Sequence, residues 1–152
     1  VDSPRDVATY DQRPEMSARA AADSFCRRWG EGGYRFGIIN FANPDMVGHT
    51  GVIPAAVAAV QAVDGCLGDV VSAVHSAGGA CIVTGDHGNA DNMLEPDGSP
   101  STAHSLNPVP LIVTVPGLEM RDGGILADVA PTALMLLGME KPAAMTGHSL
   151  VA

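Results

Sequence analysis

Basic residues are scarce in this sequence: 8 Lys and Arg stand against 17 Asp and Glu, for a formal net charge of −9. A surface that acidic repels nucleic acid and anionic membranes, which excludes phosphate-backbone binding as a function class. It would repel an anionic small substrate as well, unless metal cations or a basic region outside the sequence compensate. Cysteine is also sparse. Cys26, Cys66 and Cys81 are odd in number and widely spaced, with no CxxC. That excludes a zinc knuckle and a disulfide framework and fits a reducing cytoplasm. Cys81, inside "ACIVTG", reads as a buried, small hydrophobe. No apolar run is expected to reach the length of a spanning helix, no signal-peptide pattern opens the sequence, and no repeat or low-complexity segment interrupts it.

What is present suits one globular domain with a real core. The sequence has 152 residues, 46% of them hydrophobic and 16% charged, a balance that argues against disorder. It opens "VDSPRDVATYDQRPEMS", without an initiator methionine and with Pro4 and Pro14 ahead of any periodic segment. Such an opening is expected of the interior of a longer chain.

From Ser17 the pattern turns helical, with Ala21, Phe25 and Trp29 at i, i+4 and i+8, Ser17 as N-cap and Gly30 as terminator. "FGIINF", residues 36–41, predicts a short buried strand. A long helix is predicted from Pro54 to Ala77, with Val57, Val60, Val63, Leu67, Val70 and Val74 on one face and Gly78-Gly79 as its stop. "ACIVTG" and "PVPLIVTV" predict two further strands. Asp128 is placed to cap a short helix, "VAPTALMLLG". Strands alternating with helices predict an α/β fold: three layers, a mainly parallel sheet with helices on both faces. In such sheets ligands bind outside the carboxyl ends of the strands.

Three polar clusters fall at those ends. In "NPDMVGHTG", Asp45 and His49 are four apart, so one helical turn puts both on one face. In "TGDHGN", Asp86 and His87 are adjacent and point different ways. In "TAHS", His104 precedes a strand. Each has an ordinary explanation alone, since Asp-x-x-x-His pairs are common on exposed helices and Asp-Gly sequences favour turns. Together, two carboxylates and three imidazoles would converge, and the carboxylates would repel one another without a cation. Mixed carboxylate and imidazole ligands with no thiolate suit Mn²⁺ or Zn²⁺ better than Mg²⁺ or Fe²⁺. Five ligands exceed one tetrahedral site and fall short of two complete ones, which favours two ions with incomplete shells, the arrangement of phosphoryl transfer. The other polar residues take plainer readings. His75 suits a helix C-terminus, His148 the surface, Asp91 local turn hydrogen bonds. Met135 and Met139 read as core filling, and Ser99, Ser101 and Ser105 as ordinary loop serines.

"YDQRPEMSA", "NFANPDMVGHTG", "AVQAVDGCLG", "TGDHGNADNM", "TAHSLNPVPLIV", "LADVAPTALMLLGM" and "MTGHSLV" together resemble the cofactor-independent phosphoglycerate mutases, metalloenzymes of the alkaline phosphatase superfamily. The likeness runs through essentially the whole sequence. It implies an alkaline-phosphatase-like but incomplete fold, with residues 1–152 forming the C-terminal segment of the metal-binding phosphatase domain. It implies two divalent ions, most readily Mn²⁺: Asp45, His49 and His104 on one, Asp86 and His87 on the other. It implies interconversion of 3-phosphoglycerate and 2-phosphoglycerate, a glycolytic step, through a phosphoserine. The family's nucleophilic serine, a further aspartate ligand and the inserted phosphotransferase domain have no counterpart here. No catalytic nucleophile is therefore assigned, and the remainder of a mutase chain is the expected partner beside the phosphoglycerate substrate. The alternatives are a non-catalytic metal-binding fragment and another two-metal phosphatase, sulfatase or phosphodiesterase of that superfamily.

Overall fold

Alanines at 18, 20, 21 and 22 favour a helix with little side-chain entropy to lose, and α1 runs Ala18–Gly30. A computed structural model describes all residues, 1–152. Arg27 and Arg28 lie in the last turn of α1, where cations suit the helix dipole. Ser17 precedes α1 without capping it: its hydroxyl instead donates to the Asp2 carbonyl, 2.7 Å away. Two further helices follow, α2 (Asn43–Gly48) and α3 (Ile53–Ser76), each with proline in its first turn, where the missing N–H costs nothing.

The chain divides into two compact units, residues 1–78 with 87–109 and residues 79–86 with 110–152. In the first, α1 and α2 both pack on α3. One apolar cluster joins Ala18 and Ala22 of α1 to Cys66 and Val70 of α3, flanked by Phe25, Ile39 and Phe41. A second joins Val47 of α2 to Ala55, Ala56 and Ala59 of α3, with Met16 and Met93. The small side chains let the helices approach closely. The buried stripe of α3 is therefore Ala55, Ala56, Ala59, Cys66, Val70 and Val74. Val57 and Val60, expected on the buried face, are 52% and 47% exposed. At 24 residues and a mean hydropathy of 1.5, α3 is long and apolar enough to cross a membrane on length and composition, which corrects the expectation that no run reaches that length. In the structure it serves as the packing spine of the unit, tied by Asp69 to Arg19 of α1 at 2.5 Å.

The segment "FGIINF", residues 36–41, was expected as a strand. It forms no ladder. Its Gly37 lies against the Phe25 and Trp29 rings, which stack with centroids 5.7 Å apart. The segment is held by side-chain packing, with no strand beside it to accept its hydrogen bonds.

In the second unit β1 (Ile82–Thr84) and β2 (Leu111–Val113) pair with Ile82 opposite Val113 and Thr84 opposite Leu111. Cys81 extends the pairing through its N–H to Thr114 Oγ1 and its carbonyl to Thr114 N–H. Cys81 is half-buried rather than buried. The alternation of helix and strand holds; of the expected mainly parallel sheet there is a pair, β1 and β2, and that pair is antiparallel. The physical reason is the connection between them: it carries loops and no crossover helix, which parallel neighbours require.

A 3₁₀ turn (Leu126–Asp128) leads into α4 (Val129–Leu136). Asp128 does not cap α4 with its side chain, as the sequence suggested. Its buried carboxylate accepts from the backbone N–H groups of His148 (2.8 Å) and Ile125 (3.1 Å) and pairs with Arg121 (3.1 Å). The His148 and Ile125 N–H groups, with Arg121 behind them, hold this carboxyl below the usual range. Thr132, fully buried, continues the network: its hydroxyl donates to the Asp128 carbonyl and accepts from Leu150 N–H at 2.9 Å. Thr132→Val keeps the shape but leaves that N–H buried and unpaired. The expected loss is about 1–3 kcal/mol, measured by urea unfolding, with the Leu150 amide losing hydrogen-exchange protection first. Met135 and Met139 are 44% and 52% exposed, so they do not fill the core; with His148 and Lys141 they line an open depression of about 400 Å³.

Candidate metal centre

The turn of α2 carries Asp45 and His49 on one face, as the four-residue spacing requires. Pro44 sets the start of that turn, and His49 N–H closes it on the Asp45 carbonyl at 3.1 Å. Asp45 Oδ1 lies 3.3 Å from His49 Nε2 and 3.3 Å from His104 Nε2. The two Nε2 atoms are themselves 3.3 Å apart. Three donor atoms thus form an equilateral triangle. Ligands about 2.0–2.1 Å from one ion at tetrahedral angles sit about 3.3–3.4 Å from each other. The side chains are between a third and a half exposed (32% for Asp45, 33% for His49, 46% for His104), so an ion and a further ligand have a way in. An oxygen, two imidazole nitrogens and no sulfur suit a borderline or hard divalent ion.

His87 closes the other side. Its ring stacks on His104 with centroids 3.6 Å apart and planes 11° from parallel. Its Nδ1 is 4.0 Å from Asp45 Oδ1, and Asp45, His87 and His104 offer donor atoms within 4.8 Å of one another. Two triads therefore share Asp45 and His104. The one completed by His49 is tighter and is the better fit for a single ion, because its spacing already matches one coordination face. Asp45, His49, His87 and His104 all belong to the first unit, although 55 residues separate His49 from His104. Asp86 stands at the carboxyl end of β1 in the second unit, exposed, and is joined to His87 by the peptide bond.

Two residues of the same turn had no metal role in the sequence. Asn89, buried, donates from Nδ2 to Asp45 Oδ1 at 3.0 Å and lies 3.2 Å from both ring nitrogens of His49. It orients a carboxylate and an imidazole at once. The available signal was its place two residues after His87. Asp91 makes tertiary rather than local bonds, accepting from Ser105 Oγ at 2.8 Å and Asn107 Nδ2 at 2.5 Å. Those donors, Asn107 first, hold its carboxyl below the usual range. Ser99 keeps its plain loop reading, donating to Asp97, and Ser101 is buried with its N–H on the Met93 carbonyl, whereas Ser105 makes a tertiary bond by donating to Asp91.

The metalloenzyme superfamily model matches residues 1–141. The 2,3-bisphosphoglycerate-independent phosphoglycerate mutase of Syntrophotalea carbinolica is 54% identical over 99% of this chain, and that of Nitratidesulfovibrio vulgaris 52% identical over 99%. The chain spans about 30% of the length of either relative. A crystal structure of Leishmania mexicana phosphoglycerate mutase at low cobalt concentration superposes with a TM-score of 0.87 at 35% identity, covering all of this chain and 31% of that one. The architecture is thus a partial α/β fold with a small sheet, of the alkaline-phosphatase-like kind the motifs implied.

Proposed function

Because the chain belongs to the metalloenzyme superfamily, we propose that it is the metal-binding segment of a phosphoglycerate mutase that interconverts 3-phosphoglycerate and 2-phosphoglycerate through a phosphoserine. The observation that carries the reading is the 3.3 Å triangle of Asp45, His49 and His104 in a chain that matches such mutases along 99% of its length. In this reading that triangle holds one divalent ion, and His87 with Asp86 holds a second, both most readily Mn²⁺. Bound there, the ions would supply positive charge to the transferring phosphoryl oxygens and lower the pKa of the attacking hydroxyl.

The chain's own residues set where that charge is held. Asp45 and the imidazoles fix its position, Asn89 fixes the Asp45 carboxylate, and the net charge of −9 is offset at the one place an anionic substrate must approach. The serine that takes the phosphoryl group is assigned to the remainder of the mutase chain, together with a further aspartate ligand and the groups that grip the glycerate. Exposed apolar side chains support a covering partner of that kind: Phe36 is 54% and Ile38 80% exposed, and Val57 and Val60 of α3 are about half exposed as well. We assign the protein to a reducing cytoplasm; three free cysteines support this, with the Cys26 and Cys81 thiols pushed up by burial and so held unreactive.

The test uses the purified chain. Metal analysis should find bound Mn²⁺, and phosphorus NMR should find no conversion of 3-phosphoglycerate. A chain that retains no divalent ion would overturn the metal assignment, and turnover by the 152 residues alone would overturn the placement of the nucleophile elsewhere.

A further inference from the structure

We propose that Asp91 is a positioning residue of the metal centre, clamping the turn that carries His87 to the turn that carries His104. The inference rests on the metal-centre reading above. His87 and His104 reach the site on separate loops, and neither loop has a helix or ladder to stiffen it at that point. What joins them is a small cross-link. Ser105 N–H donates to the Gly88 carbonyl at 2.9 Å, an isolated antiparallel bridge of one residue pair. Asp91 Oδ2 accepts from Ser105 Oγ at 2.8 Å and from Asn107 Nδ2 at 2.5 Å. Asp91 is returned toward Gly88 by the turn in which Asn92 N–H bonds the Asn89 carbonyl at 2.9 Å. One carboxylate therefore holds the second loop against the first at two neighbouring points, Ser105 and Asn107.

The side chains of the clamp pack directly over Gly88. A Cβ on Gly88 would lie 2.1 Å from Ser105 Oγ and 2.7 Å from Asp91 Oδ1, so only glycine leaves the clamp intact there. The result one residue upstream on each loop is the stacked pair, His87 on His104. Asn89, in the same turn, bonds Asp45. A single four-residue turn thus fixes His87 relative to His104 on one side and Asp45 relative to His49 on the other. Ligands set in position before the ion arrives need no ordering on binding, and partners that orient ligands typically contribute about 10–100-fold in metal affinity.

The experiment compares the unsubstituted chain with D91A, D91N and S105A. Two quantities are read: Co²⁺ affinity with its visible spectrum, and the ring-proton shifts of His87 and His104 in metal-free protein. D91A should lower the affinity by about 10–100-fold and move both ring shifts toward unstacked values while circular dichroism stays the same. D91N keeps an acceptor oxygen for Ser105 and Asn107 and should recover most of both. S105A, which removes one donor and leaves the charge, should follow D91A in part. Loss in D91N equal to that in D91A would overturn the clamp in favour of a purely electrostatic effect. Unchanged affinity and shifts in D91A and S105A would overturn the clamp and leave the metal centre standing. Ring shifts that respond in D91A while the unsubstituted chain takes up no Co²⁺ would overturn the metal-centre reading and keep the loop clamp.

Discussion

Replacing His104 with alanine is expected to remove one divalent ion per molecule while leaving the fold in place. The imidazole is 46% exposed, so little packing is lost. What disappears is one corner of the 3.3 Å triangle, which leaves that ion two donors in place of three and more of its shell to water. Affinity at that site should fall further than the roughly 10–100-fold that losing a hydrogen-bond partner of a ligand costs. Asp45→Ala should act the same way, with one difference in kind: it also frees the buried Asn89 amide, which donates to Asp45 Oδ1, so a modest stability loss accompanies the loss of metal. His148→Ala, on an exposed histidine far along the sequence, is the control. Metal analysis by mass spectrometry on each purified variant checks the expectation. Unchanged stoichiometry in both His104→Ala and Asp45→Ala would refute the assignment.

The second large effect lies in the other unit and is conformational. Gly147→Ala would set a Cβ 2.0 Å from the Ala127 carbonyl oxygen and 3.0 Å from Asp128 N. Those atoms are backbone, so no side-chain rotation relieves the clash and the two segments must separate. The bonds between those segments suffer first: His148 N–H to Asp128 Oδ1 at 2.8 Å, and through Thr132 the Leu150 N–H at 2.9 Å. Overpacking of this type costs typically about 1–3 kcal/mol and sometimes more, and contact with backbone puts this position at the upper end. Urea unfolding should show a lowered midpoint with an unchanged slope, and the His148 and Leu150 amides should exchange faster. Gly30→Ala, with nothing within 4 Å of the added methyl, should be close to neutral. Equal midpoints for the two variants would show that the Ala127–Asp128 segment gives way without cost.

The longer helices were legible from their residues, whereas α2 (Asn43–Gly48) formed in a stretch whose glycine and proline read as a loop. The four-residue spacing of Ala21, Phe25 and Trp29 gave α1, and proline at the start with paired glycines at the end gave α3 to within one residue at each end. The face of α3 was legible only in part: Val70 and Val74 are buried as expected, whereas Val57 and Val60 are not. Valine outranks alanine on any hydrophobicity scale, so Val57 and Val60 pointed inward on paper. In the fold, close helix approach in the first half of α3 selects Ala55, Ala56 and Ala59, and Val57 and Val60 stay outside. Of the three expected strands, "ACIVTG" and "PVPLIVTV" hold β1 and β2, and only residues 36–41 failed, for a related reason. An apolar run such as residues 36–41 has the composition of a strand, but a strand exists only if another offers its hydrogen bonds, and that partner is not a property of the run.

The site divides along the same line. The residue types and spacings of "NPDMVGH", "TGDHGN" and "TAHS" by themselves determined which side chains could ligate an ion, because donor chemistry belongs to the residue. They also determined that Asp45 and His49 share a face, because about 3.6 residues per turn is a local rule. Only the tertiary structure decided that His104, 55 residues from His49, completes an equal-sided triangle with them, that Asn89 bonds Asp45, and that Asp91 bonds Ser105 across two loops. Those relations depend on loop closure and on contacts between segments distant in sequence, where no periodicity runs and where a plain asparagine or aspartate shows its role only through what stands opposite it.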